Sequence, residues 1–244
     1  MEILEEYGIE FLARYAHIIS GVTWIGILYY FNFAQTPAFA DFGGEARTEA
    51  VAKLVPRAIW WFRWAAMSTL AFGLLLFALG IGGDFAPFKH MDSIQTLTIL
   101  AGMLFGIIMW ANVWFVIWPA QKVAIASAQG VLDGREPDPA AAAGARKAAC
   151  ASRTNTFLSI PMLFFMVATG HFSSFGGFDS SSSGDRIGWY IVIVVVAVLV
   201  EGNALAAPAA GKPAAWYIDK HQNTIIGGFV LLAILYGAME ILFG

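Results

Sequence analysis

Two histidines sit inside apolar segments, where an ionisable group is expensive and marks a functional site by default. His17 lies in Tyr15-Ala16-His17-Ile18-Ile19-Ser20, and His171 closes Met166-Val167-Ala168-Thr169-Gly170-His171. On a helix, the face of His17 continues through Ser20, Gly21, Trp24 and Leu28. Small residues one turn from a histidine leave room for a flat macrocycle, and Ala168 and Val167 stand in the same relation to His171. If the topology brings the two to one depth, they form a pair of axial ligands for one iron, since bundle interiors are where facing helices build such sites. A histidine hydrogen-bonded to a neighbouring helix, with Gly21 serving close packing, is the plainer reading. Spacing does not separate b-haem from copper or zinc, although a His pair without a nearby carboxylate argues against a tight zinc site.

The other candidates are polar groups near membrane depth. Arg57 and Arg63 flank a tryptophan-rich stretch, Asn112 and Asn155 lie in or beside apolar runs, and Glu201 and Asn203 interrupt another. The arginines read either as interface anchors that snorkel or as partners for a haem propionate or anionic substrate, with Asn112 and Asn155 alongside. Glu201 reads as a proton relay, an arginine partner or an interhelical hydrogen bond. Pro161 predicts a kink.

These residues need elements to hold them. The chain has 244 residues, 59% hydrophobic and 13% charged, about half the charge of a soluble domain, which is roughly 25%. Splitting it at Asp, Glu, Lys and Arg leaves apolar stretches at 15–40, 64–83, 93–121, 154–178, 187–200 and 221–239. Most match the ~20 residues of a membrane-spanning helix, and the fifth does if continued past Glu201 to about Ala207. Strand alternation is absent, which excludes a barrel. The expectation is an all-α integral membrane protein: a single domain over 1–244, a bundle of about six transmembrane helices. The acidic start, Met1-Glu2-Ile3-Leu4-Glu5-Glu6, predicts no cleavable signal. Cys150, the single cysteine, excludes an internal disulfide and a c-type haem motif. A net charge of −3 suggests no nucleic-acid partner.

Eleven of the fourteen Lys and Arg residues fall in the loops after stretches one, three and five. The positive-inside rule makes that side cytoplasmic and puts both termini outside, in the periplasm if this is the inner membrane of a Gram-negative bacterium. Trp60, Trp61, Trp64, Trp114 and Trp118 then form an inner aromatic belt. His17 and His171 share the outer depth, His90 is in an outer loop and His221 at the inner end of the last helix. The Ala-rich run around Asp138-Pro139 is expected to form a short cytoplasmic surface helix, and the serine-rich outer loop 173–184 to be flexible. The outer side carries Glu2, Glu5, Glu6, Glu10, Asp84, Asp92, Asp179 and Asp185 against Arg14, Lys89 and Arg186, an excess that would steer a basic partner.

The run His17-Ile18-Ile19-Ser20-Gly21-Val22-Thr23-Trp24-Ile25-Gly26, continuing to Phe33, resembles the opening helix of the bacterial membrane-bound urate oxidase (urate hydroxylase) family. Pro56-Arg57-Ala58-Ile59-Trp60-Trp61-Phe62-Arg63-Trp64, Trp110-Ala111-Asn112-Val113-Trp114 through Pro119, and Arg153-Thr154-Asn155-Thr156-Phe157 through Met166 resemble later segments of it. A weaker likeness exists to small membrane protoporphyrinogen oxidases. The urate oxidase resemblance implies a haem b redox protein that oxidises urate or a related small molecule and passes electrons to a cytochrome c. That family joins its membrane domain to a C-terminal cytochrome c domain. This chain ends at Gly244 without Cys-x-x-Cys-His, so a separate acceptor, soluble or membrane-attached, is expected. The alternatives are a haem-bearing electron-relay subunit of a respiratory complex, or a transporter in which the histidines are structural.

Overall fold

The computed structural model describes residues 6–79, 93–172 and 182–244. Among them every regular element is helical. In chain order these are α1 (Glu6–Tyr29), a first π-turn (Tyr30–Gln35), α2 (Thr36–Asp41), α3 (Gly44–Lys53), α4 (Val55–Leu79), α5 (Ile94–Ala111), a second π-turn (Asn112–Ile117), α6 (Trp118–Leu132), α7 (Pro139–Ala168), α8 (Ser183–Ala206), a 3-10 turn (Pro213–Ala215), α9 (Trp216–Asp219) and α10 (His221–Phe243). His90 and the acidic residues Glu2, Glu5, Asp84, Asp92 and Asp179 lie outside the described residues, as do most of loop 173–184 and Lys89.

Local chemistry starts the helices. The Ser93 hydroxyl accepts from the Thr96 amide at 3.2 Å. The Asp138 carboxylate accepts from Ala140 N–H ahead of Pro139. Ser182 and Asp185 form a reciprocal capping box on α8. The two π-turns have a shared cause. Each ends two residues before a proline, Pro37 or Pro119. Proline has no N–H to give to the preceding turn and its ring crowds the carbonyl there. A π-turn re-registers the backbone bonds so that the helix runs on. Asn32 sits in the first π-turn, its amide Nδ2 donating to the Leu28 carbonyl at 2.9 Å.

Five helical stretches are long and apolar enough to cross a membrane: Gly8–Asp41, Val55–Leu79, Ile94–Leu132, Ser183–Ala206 and His221–Phe243. Their outward faces carry Ile18, Val22, Ile191, Val198, Leu199, Ile234 and Ile241. So much contiguous exposed apolar surface has no place in water. The chain is a multi-pass, all-helical membrane protein.

The helix of the fourth apolar stretch, α7, is not among the five, and the reason is its position. It packs on α5, α10, α6, α8 and the second π-turn, at the middle of the bundle. Its inward face buries Thr154, Asn155, Thr156 and Ser159, polar residues that lower its hydropathy while facing protein. The Ala-rich run beginning at Pro139 is not a separate surface helix. It is the first half of α7, continuous with the apolar half, and Pro161 lies within that same helix. α1 packs chiefly on α4, and this pair meets the rest of the bundle at α5, α6 and α7. At 39 residues, α5 to α6 is about twice what the hydrocarbon needs. α6 and the start of α7 therefore run on beyond the membrane at the end where α3 packs.

Candidate functional site

His17 is half-buried and faces α4. Its Nδ1 bonds to the Thr69 carbonyl at 2.8 Å. The ring rests on Gly73, where a Cβ would come within 3.0 Å of His17 Cε1. His171 is exposed just past the end of α7, and its Nδ1 bonds to the Val167 carbonyl at 2.9 Å. A carbonyl only accepts, so Nδ1 is the donor in both rings. The neutral tautomer then leaves Nε2 as a free lone pair. That is the arrangement by which proteins aim a histidine at a metal. His17 is oriented by another helix, His171 by its own.

Of the residues flanking them, Trp24 is buried at 3% exposure with its indole N–H unpartnered, two turns from His17 on the same face. Gly21 has room: a Cβ there would meet only the Thr69 methyl, at 3.8 Å. Ala168 is buried in the core.

The polar candidates divide into two places. Asn112 and Asn155 come together at the centre of the bundle. Asn112 Nδ2 donates to Asn155 Oδ1 at 3.0 Å and to Glu201 Oε2 at 2.9 Å. Asn155 Nδ2 donates to the Met109 carbonyl at 2.9 Å. The three side chains tie the second π-turn, α7 and α8 into one polar centre, so Glu201 makes an interhelical hydrogen bond. The arginines lie elsewhere. Arg57 is exposed, its guanidinium bonded to the Lys53 carbonyl. Arg63 lies over the Trp118 ring at 4.1 Å and within 5.5 Å of Trp64 and Trp114, a cation–π box with a buried, unpartnered Nε.

One arrangement was not visible in spacing. A cavity of about 380 Å³ is walled by the first π-turn, α2, α3, α4, the second π-turn, α6 and α7. Arg153, 8% exposed, contributes a buried Nη1 with no partner, and Gln35 a buried Oε1 with none. In the sequence Arg153 reads as the last residue of a basic loop. The available signals were Pro37 and Pro119, each following an asparagine within an otherwise apolar helix, which mark where the helices re-register.

Fold and site define a polytopic helical membrane protein with a buried polar centre and two carbonyl-oriented histidines. Residues 85–203 match the family model described as urate oxidase N-terminal. That match spans slightly less than half of the chain and supports a urate oxidase-like N-terminal family. It takes in Asn112, Arg153, Asn155, His171 and Glu201. The His17 run and the Pro56–Trp64 segment lie outside it. Comparison with curated proteins finds no match, and neither does comparison with solved structures.

Proposed function

We propose that this protein is a membrane oxidoreductase of the urate oxidase type. It oxidises urate or a related small molecule and delivers the electrons to a cytochrome c on the outer face. The similarity of residues 85–203 to the urate oxidase N-terminal family carries the reading.

His17 and His171 are the residues that would hold a haem b. Each offers Nε2 while a carbonyl fixes the opposite nitrogen. Trp24 offers an unpartnered indole N–H two turns along the same helix face from the first of them. When bound, the group would supply one-electron redox chemistry. The chain's own part is to orient the two rings, to hold the Trp24 donor in place and to keep water from the core around Phe165 and Trp189. Glu201, held by Asn112, is a carboxylate able to take up a proton close to the bundle centre.

α7 is read as the sixth crossing, its polar face turned to its neighbours. Six crossings place both termini on one side, and the basic loops put that side outside. The test combines a reduced-minus-oxidised spectrum of the purified protein with a turnover assay on urate and cytochrome c. A b-type band with urate-dependent cytochrome reduction is expected. A b-type band without turnover reduces the protein to an electron relay, and no band removes the haem.

A further inference from the structure

The cavity next to Arg153 is a site in its own right. We propose that it binds a small, flat organic anion that carries an N–H or O–H donor beside its charge. The first argument is charge. The Arg153 guanidinium is protonated at any working pH. It is 8% exposed, its Nη1 has no hydrogen-bond partner, and no ion pair among the described residues includes it. No Asp or Glu lines the cavity, whereas exposed Arg47 adds a second cation at its edge. A buried charge left this way is costly. At roughly 30 Å³ per water, about a dozen waters would fill the space and satisfy the hydrogen bond. They would not balance the charge; an anion does both.

The second argument is the acceptor. Gln35 lines the same cavity and its Oε1 is buried and unpartnered, so it calls for a donor on the ligand. The third is shape. Alanines of α6 and α7 line one part of the wall, and Phe31, Phe39 and Phe62 another. Small residues facing aromatic rings suit a flat, unsaturated body, and the volume lies in the range of small-molecule sites, roughly 300–1,000 Å³. The fourth is backbone. Phe31 and Gln35 both come from the first π-turn, and Ile117 of the second also touches the cavity. Such turns recur at functional sites. The inference goes beyond the redox reading, because it holds whether or not the bound anion is oxidised.

Calorimetric titration of the detergent-purified full chain tests it, with three probes. Urate at neutral pH is a flat monoanion with ring N–H groups, benzoate is a flat anion without them, and inorganic phosphate is neither flat nor unsaturated. Urate is expected to bind best. Arg153→Gln should weaken it by at least about tenfold, the cost of losing one charge-assisted pair. Arg153→Lys keeps the charge without the planar fork and should fall between. It also serves if the glutamine variant fails to fold. Gln35→Leu should bring urate down toward benzoate and leave benzoate unchanged. Wild-type protein that binds none of the probes overturns the proposal, as do Arg153 variants that bind like wild type. Co-purifying phospholipid that is lost in Arg153→Gln and displaced by no probe also overturns it, in favour of a lipid headgroup. Urate binding without turnover keeps this site and removes the redox reading. Turnover with urate affinity indifferent to Arg153 does the reverse.

Discussion

A histidine in a helix bundle is only as useful as the contact that aims it. For His17 that contact is the Thr69 carbonyl, with Gly73 beneath the ring. Gly73→Ala would put a methyl 3.0 Å from Cε1 and 3.2 Å from Nδ1, so the ring would have to shift by a few tenths of an ångström and strain its bond to the Thr69 carbonyl. If His17 ligates haem, Gly73→Ala should shift or abolish the b-type band while circular dichroism shows the helices intact. His17→Ala and His171→Ala should abolish it and His221→Ala should not. An unchanged spectrum in Gly73→Ala would remove His17 from the ligand set. The asparagine pair makes a separate, purely structural prediction. Asn155→Leu leaves one N–H of the Asn112 amide without its partner and strips the side-chain bond from the Met109 carbonyl, which keeps only the Asn112 backbone N–H. The cost of such buried orphans is about 1–3 kcal/mol, with membrane-embedded bonds toward the lower end. Chemical denaturation of the detergent-solubilised protein should show it.

At the scale of elements, close approach is what holds α7 at the middle. α10 crosses it at Gly228, where an added Cβ would fall 2.5 Å from the tip of Ile160 and 2.9 Å from the Phe157 carbonyl oxygen. The backbone oxygen cannot step aside as a side chain can. Gly228→Ala should therefore cost about 1–3 kcal/mol, as overpacking does. Gly237→Ala on the same helix meets nothing within 4 Å and should be neutral within about 0.5 kcal/mol. Thermal unfolding of the two variants side by side measures the difference. Outside the membrane, Asp219 joins α9 to the turn after α8. The Gly211 amide donates to its carboxylate at 2.8 Å and Arg146 bonds it at 2.9 Å. The Gly211 bond, and then Arg146, hold its carboxyl below the usual range. A depressed carboxyl stabilises the fold above its unfolded value, about 3.9, and that contribution is lost as pH falls through the lower folded value. Wild type should lose thermal stability below about pH 4 more steeply than Asp219→Asn. The helices themselves were readable because hydrocarbon tolerates few charges. What charge did not reveal was where they stop being membrane and continue as helix, since Lys122 ends an apolar stretch but not α6. Asn112 and Asn155 stood out as polar residues in or beside apolar runs, but spacing set them with the arginines and did not pair them with each other. The Arg153 cavity was not legible either, because its walls come from seven elements and hydropathy carries no trace of a π-turn.

The whole molecule has two unlike ends. α3, α6 and the first half of α7 extend one end beyond the span, and the basic residues gather there, with the aromatic box of Arg63, Trp64, Trp114 and Trp118 close by. Lysines and arginines stay on the cytoplasmic side during insertion, and aromatic rings favour the interface. Both support the proposed orientation, in which this end and the Arg153 cavity face the cytoplasm and the two histidines lie toward the outer surface. Charge screening also separates the ends, because fields fall off over about 8 Å at physiological ionic strength and a membrane is several times thicker. An acidic outer face would then act on a basic cytochrome undiluted by the inner lysines. Labelling tests the orientation cleanly because the single native cysteine, Cys150, is fully buried. In spheroplasts, a membrane-impermeant maleimide should label Ser183→Cys, at the exposed start of α8, and spare Glu136→Cys, exposed between α6 and α7, until the membrane is broken. Labelling of Glu136→Cys in intact spheroplasts would turn the molecule over, and would move any cytochrome partner to the face now read as cytoplasmic.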